Sequence, residues 1–310
     1  MERILNTKPI TCDFPGEIHL LTCERDHLMA MWALKTFFYF NKLYMRPVIH
    51  EDGSLSESSK ATFKEHFIGS KIIDRSLADE LITSKLRPYP NCLDYRDTGN
   101  NLLLKLFDPY FFSESEYMLI MDSDVLWFKK AEMVLSFVAN KYPFFHGGGW
   151  GFNSYPVSIE YMKDILGLEP VGNINGGIVG RSNKDEDFDL EFIESALKGM
   201  KEAPRFYNYK EKRRVSLDAL TLHKSLTMIE ETLLSVIIGR CKDTKILWAG
   251  KVEDWSPYYC KIYKDEYLLK HCPVTDSIAM IHYVEFDKEQ KIKQYKEGIS
   301  YLIEKGFLNE

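Results

Sequence analysis

The stretch YMLIMDSDVLWF, residues 117–128, decides the fold. Its first half, YMLIM, is an uninterrupted apolar run, the pattern of a strand buried on both faces. Asp122 and Asp124 follow directly at its C-terminal end, with Ser123 between them, and Val125-Leu126-Trp127-Phe128 is apolar again. In open α/β sheets, ligands bind outside the carboxyl ends of the strands. Two carboxylates one residue apart at such a place can share a divalent cation. Mg²⁺ or Mn²⁺ favours oxygen ligands and usually keeps phosphates in its shell. The alternative is an acidic turn capping the next helix, but the apolar flanks argue against solvent decoration.

Outward from this strand, elements alternate. Residues 17–23 (EIHLLTC) read as a first buried strand and 26–41 as a long apolar helix. A second short strand spans 47–52, closed by a turn at Gly53-Ser54, and 71–74 form a third. Helices are expected over 56–67 and 76–85. Another carries Leu102, Leu103, Leu106 and Phe107 and stops near Asp108-Pro109, since the residue before a proline disfavours the helical region. Downstream, the glycine-rich residues 144–152 are expected to be a loop. Residues 176–180 and 278–282 read as strands, 189–201 as a helix, and 217–238 as one or two very apolar helices. A last helix places Ile292, Tyr295, Ile299 and Leu302 at helical spacing. The alternation predicts an α/β fold with a mixed, mostly parallel sheet flanked by helices.

The chain has 310 residues, 45% hydrophobic, enough for a large core. Its net charge of -6 lacks the basic field that collects nucleic-acid phosphates, so no nucleic-acid partner is expected. No stretch approaches the roughly 18 apolar residues of a membrane span. Residues 1–16 do not read as a secretory signal. The six cysteines are scattered without CxxC pairs and read as free thiols, so a cytoplasmic location is expected.

The motif and its surroundings resemble the core of GT-A glycosyltransferases, especially the glycogenin and lipooligosaccharide galactosyltransferase group. The resemblance rests on Lys105-Leu106-Phe107-Asp108-Pro109 followed by residues 117–128, and then on three weaker segments in the right order. It implies that Asp122 touches ribose and metal, that Asp124 binds the metal, and that Lys105 and Ser123 lie at the donor. In residues 173–180 (NINGGIVG), Asn175 matches an Asn that contacts the donor sugar. In residues 228–234 (MIEETLL), Glu230 falls on an apolar helical stripe and Glu231 on a polar one. A carboxylate in an apolar stripe marks a site or a buried ion pair. The family commonly has an acidic residue followed by Gln here; Glu231 departs from that. His282 matches a third metal ligand, and Lys288, six positions on, matches a diphosphate-gripping lysine, although the flanking Gly and Pro-Trp are missing.

The resemblance also implies a UDP-sugar donor, a hexose transferred with a retaining outcome, and Mn²⁺ or Mg²⁺ as cofactor. The acceptor stays open among glycan, lipid-linked sugar, protein and small molecule. The expected site is therefore Asp122, Asp124 and His282 for metal, and Thr22, Cys23, Asp52, Lys105, Asp122, Ser123 and Lys288 for donor. Glu230, Glu231 and Asn175 are expected at the reacting centre. Residues 1–310 are read as one domain: 17–124 the nucleotide-binding half, 125–290 the acceptor and metal-completing half, and 285–310 a C-terminal helix. Residues 206–214, rich in aromatics and bases, read as a lid or a solvated loop, and Gly147 to Gly151 with Trp150 as an acceptor pocket. Two competitors are a degenerate nucleotide-sugar or glycan binder and a haloacid-dehalogenase-type phosphatase, whose loop MDSDVL also resembles. The phosphatase needs a downstream GDxxxD, and none follows.

Overall fold

The computed structural model describes residues 1–98, 101–140, 144–148, 155, 157, 159–171, 174–182, 188–202, 206–208, 213–215, 227–240, 247–248, 258–262, 279–284 and 288–308. Ten strands make the two sheets that matter here: β1 (Phe14–Thr22), β2 (Met45–Glu51), β3 (Lys71–Ile73), β4 (Tyr117–Met121), β5 (Val125–Trp127), β6 (Phe144–Gly148), β7 (Ile174–Ser182), β8 (Leu247–Trp248), β9 (Tyr258–Ile262) and β10 (Met280–Val284). The main sheet runs β8-β6-β7-β4-β1-β2-β3. It is parallel except at β7, which lies antiparallel to both β4 and β6. The smaller sheet runs β9-β10-β5. This is the expected mixed, mostly parallel α/β architecture.

The flanking helices are α1 (His27–Asn41), α2 (Glu57–His66), α3 (Arg75–Leu86), α4 (Pro90–Arg96), α5 (Leu104–Phe112), α6 (Glu132–Asn140), α7 (Leu190–Lys201), α8 (Thr227–Arg240) and α9 (Lys288–Glu304). Strand β4 shows why both faces need cover. Leu119 and Met121 join the core with α1 and α9, whereas Met118 and Ile120 join the one with α3, α5, α7 and α8. Successive side chains point to opposite faces, so an all-apolar strand feeds two cores at once. Burying each such side chain contributes roughly 1.5–3 kcal/mol.

Three expectations need correction. Phe144–Gly148 is a strand and not a loop: it pairs with β7, and its ladder shifts register between His146 and Gly147. Buried Phe144 anchors it, and a bulge lets glycines stay in a sheet. Helix α5 continues through Pro109 to Phe112. The proline forfeits one backbone hydrogen bond, but Pro109 and Phe112 are buried and Asp108 is gripped by Arg96 at 3.0 Å, which offsets the loss. Ile292 is 39% exposed, so it is not a core position.

Of residues 206–214, Phe206–Asn208 pairs antiparallel with Arg213–Val215, and 209–212 lie outside the described residues. Residues 149–151 and 217–226 lie outside them too, which removes Trp150 and the first part of the apolar helical stretch. Cys12, Cys23 and Cys92 are free thiols; Cys241, Cys272 and the side chain of Cys260 lie outside the described residues. No helix among the described residues is long and apolar enough to cross a membrane.

Candidate metal and donor site

Asp122 and Asp124 sit where the two sheets meet. The Asp122 N–H donates to Gly177 O on β7 at 2.9 Å, and the Tyr283 N–H on β10 donates to Asp124 O at 2.9 Å. Tyr295 from α9 reaches the same turn: its hydroxyl donates to Met29 O at 2.9 Å and lies 3.4 Å from Val125 O. The turn is thus pinned by backbone on both sides, and its carboxylates are aimed by the sheet.

His282 on β10 comes to the same point. Its Nε2 lies 3.1 Å from Asp124 Oδ1 and 3.4 Å from Asp122 Oδ2. The three residues offer ligand atoms all within 4.8 Å of one another. Adjacent ligands of an octahedral cation held at ~2.1–2.2 Å stand ~3 Å apart, so the spacing fits a divalent ion. Asp124 Oδ1 is buried and accepts no hydrogen bond of acceptable geometry. An orphaned carboxylate oxygen beside a histidine nitrogen is the donor set of a hard or borderline cation. The residues therefore fit a metal centre.

Built-in cations surround it. Lys105 on α5 donates to Asp122 Oδ1 at 2.7 Å and lies 3.5 Å from Glu230 Oε2. Lys291 on α9 contacts Asp124 Oδ2. Burial alone raises the Asp122 carboxyl, but Lys105 and then His282 outweigh it and hold it below the usual range. Asp124 is likewise held well below that range, by Lys291 and His282 against burial. Both lysines stay charged: burial lowers each, and the carboxylates raise each further.

A cavity of about 520 Å³ opens from these residues. Thr22, Cys23, Asp52, Lys105, Asp122, Ser123 and Asp124 line it, so those expected donor and metal positions gather on one wall system. Arg25, Asn101, Leu102, Lys291 and Ile292 also line it, and sequence reasoning missed them as site residues. The signal for Lys291 was one helical turn from Lys288, whose side chain lies outside the described residues. A basic residue facing back from the first turn of α9 was as good a candidate by helical spacing. Glu51, at the end of β2, accepts the N–H groups of Gly53 and Arg75 and holds the loop.

Asn175, Glu230 and Glu231 lie behind this wall and are not among the residues lining the cavity. The Gly176 N–H donates to Glu231 Oε1 at 3.0 Å, while Glu231 Oε2 is buried with no hydrogen-bond partner. Burial pushes Glu230 up to about 8, opposed by Lys105, and pushes Glu231 up to about 7, opposed by the Gly176 N–H and Lys105. The two-stripe reading of α8 fails in one respect: Glu231, Thr232 and Ser235 are as buried as Glu230 and Leu233, because the helix is covered all round.

No protein-family model matches the chain, and no curated protein matches it. Among solved structures, it is similar to the galactosyltransferase LgtC in complex with donor and acceptor sugar analogues, at 12% identity and a TM-score of 0.47, covering 90% of this chain and 95% of that one. It is similar to mouse xyloside xylosyltransferase 1, apo form, at 12% identity and a TM-score of 0.44, covering 88% and 98%. A third is core-mannan synthase A from Aspergillus fumigatus in a Mn/GDP form, at 8% identity and a TM-score of 0.46, covering 79% and 75%.

Proposed function

We propose that the chain is a metal-dependent glycosyltransferase of the GT-A type, moving a hexose from a UDP-sugar to an acceptor. One observation carries this reading. Asp122 and Asp124, with an orphaned carboxylate oxygen, stand at the carboxyl end of the central strand on the wall of a cavity that also carries Lys105 and Lys291, and His282 meets them from behind that wall. A diphosphate is the group such a site suits, since it needs cations on several sides at once.

Asp122, Asp124 and His282 would hold Mn²⁺ or Mg²⁺. Bound there, the ion would neutralise charge on the departing nucleoside diphosphate, the place where such sites gain most of their rate. Lys105 presents a fixed positive charge to the same side and keeps Asp122 ionised. Lys291, on α9, contacts Asp124 and lines the cavity, where it would add a second positive charge for the diphosphate. Thr22, Cys23 and Asp52 offer hydrogen-bonding groups at the far wall for the nucleoside. Glu230 and Glu231 hold protons near neutral pH behind Lys105, and Glu231 sits at the better value for exchanging one. A retaining transfer is the outcome that the family resemblance favours.

The test is hydrolysis of UDP-glucose or UDP-galactose with Mn²⁺, and after chelation. Activity is expected only with metal, and Asp124→Ala is expected to lower kcat/KM by roughly 10³-fold or more, as for loss of the main electrostatic element of a site. Turnover that persists with EDTA and in Asp124→Ala overturns the reading.

A further inference from the structure

Asn175 is not among the residues that line the cavity. Its side chain is 5% exposed, and its Oδ1 accepts the Gly177 N–H at 2.9 Å. The same Oδ1 lies 2.9 Å from His282 Nδ1. These two contacts together fix chemistry that neither fixes alone. A backbone N–H can only donate, so the amide atom facing it must be the oxygen. An amide oxygen can only accept, so His282 Nδ1 must carry the proton that points at it. Nε2 is then the nitrogen left to bind a metal, which takes the place of any proton there. It faces Asp124 Oδ1 and Asp122 Oδ2, two further lone-pair donors. Three electron-pair donors turned toward one point are a ligand set.

Gly177 is the node of the arrangement. Its N–H orients Asn175, and its carbonyl accepts the Asp122 N–H at 2.9 Å. A Cβ at this position would overlap the His282 ring, so the imidazole packs against bare backbone. One glycine thereby sets the place of Asp122 and His282, and Asn175, two residues before it, sets which nitrogen of His282 carries the proton.

We propose that Asn175 is a positioning residue for the metal centre: it locks His282 in the Nδ1–H form and presents Nε2 to a divalent cation. The proposal rests on the metal reading above. Outer-sphere partners of this kind typically govern metal affinity by roughly 10–100-fold.

Two measurements test it. In metal-free protein carrying ¹⁵N-labelled histidine, long-range ¹H–¹⁵N spectra of His282 are expected to show a protonated Nδ1, with or without a proton on Nε2; an unprotonated Nδ1 overturns the proposal, and no variant is needed. Separately, Co²⁺ is titrated into wild type, Asn175→Ala and Asn175→Asp, following visible absorption, with Mn²⁺ calorimetry beside it and no donor present. Asn175→Ala is expected to bind metal roughly 10–100-fold more weakly with an altered Co²⁺ spectrum. Asn175→Asp keeps an acceptor oxygen and is expected to restore both. At saturating metal, UDP-galactose affinity is expected to change less than about threefold. Unchanged metal affinity with weakened UDP-galactose binding in Asn175→Ala overturns this proposal alone. A wild-type protein that binds neither Co²⁺ nor Mn²⁺ overturns the metal centre, and the positioning role with it.

Discussion

Strands β1 and β4 carry buried charge at both ends, and the two ends are built oppositely. At the N-terminal end, Glu17 is 1% exposed and fully engaged. Its Oε2 accepts Ser113 Oγ at 2.7 Å, the Glu114 N–H at 2.9 Å and His19 Nε2 at 3.3 Å, and its Oε1 accepts Arg46. Burial alone raises the Glu17 carboxyl, but the hydrogen bonds from His19, Arg46 and Ser113 outweigh it and hold it well below its usual range. Behind it, His19 and His50 are kept neutral by burial and linked at 2.9 Å. At the C-terminal end, Asp124 Oδ1 and Glu231 Oε2 accept nothing, and Glu230 and Glu231 are pushed up toward neutrality. A saturated buried carboxylate serves the fold, and an unsaturated one waits for a partner.

The largest expected effect separates the two ends. Removing one partner of a buried charge network costs roughly 3–5 kcal/mol, because the others are left uncompensated. Glu17→Ala is therefore expected to lose about that much stability in urea unfolding, while Mn²⁺ affinity measured on the remaining folded protein stays the same. Asp124→Ala is expected to differ in the readout that Glu17→Ala leaves alone, with metal binding gone. A Glu17→Ala protein of full stability breaks the contrast, and so does one that loses its metal.

A second prediction sharpens it through pH. Glu231 ionises at about 7 in the fold against a usual value of 4.5, and Glu230 at about 8. A carboxyl whose folded value is raised contributes stability in full below its unfolded value, and that contribution is lost as pH rises through the folded one. Unfolding free energy is thus expected to fall between about pH 4.5 and 8. Glu231→Gln keeps an oxygen for the Gly176 N–H and cannot ionise. Its stability is expected to decline less over that window, by up to about 3 kcal/mol, the equivalent of the Glu231 shift. Equal slopes for variant and wild type would break the idea that the site stores protons. At Glu17, where the value is lowered, the sign reverses, and the loss comes only in acid.

The same contrast explains what was legible in the sequence. An apolar strand, the two acids at its end and the order of helices and strands are local patterns, and local patterns carry the sheet and the Asp122–Asp124 turn. Lys105 and His282 needed the family resemblance, since nothing in their own neighbourhoods distinguishes them from ordinary helix and strand-end residues. Strand β6 was hidden because FFHGG reads as a loop until a partner strand supplies the ladder. Pro109 was misread because local sterics were given more weight than the packing of Phe112 and the Arg96–Asp108 pair. Asn175 was read from the family resemblance alone, and its contact with His282 was not legible because that partner lies on a strand far along the chain. Lys291 was passed over because the spacing was counted along the chain and not around the helix.

Lys291 gives the smallest effect and the finest test. Its ammonium contacts Asp124 Oδ2, the carboxylate that a cation would also claim, and its side chain is 22% exposed, so it is free to turn toward the cavity. Two positive charges compete for one acid. At 4 Å and an effective dielectric of about 20, a pair of unit charges interacts by about 4 kcal/mol, and most of this is screened where the cavity admits water. A net repulsion of about 1 kcal/mol between lysine and metal remains a fair scale, equal to a factor of about five. Lys291→Met is expected to bind Mn²⁺ about fivefold more tightly in the absence of nucleotide, and to bind UDP less tightly by a similar factor once metal is saturating. The two opposite changes in one variant are the signature of a cation that yields its carboxylate to the metal and turns to the diphosphate. Weaker Mn²⁺ binding in Lys291→Met gives the lysine a different part: it would then be a prop that aims Asp124, and the C-terminal edge would be more like Glu17's saturated network than its orphaned oxygen implies.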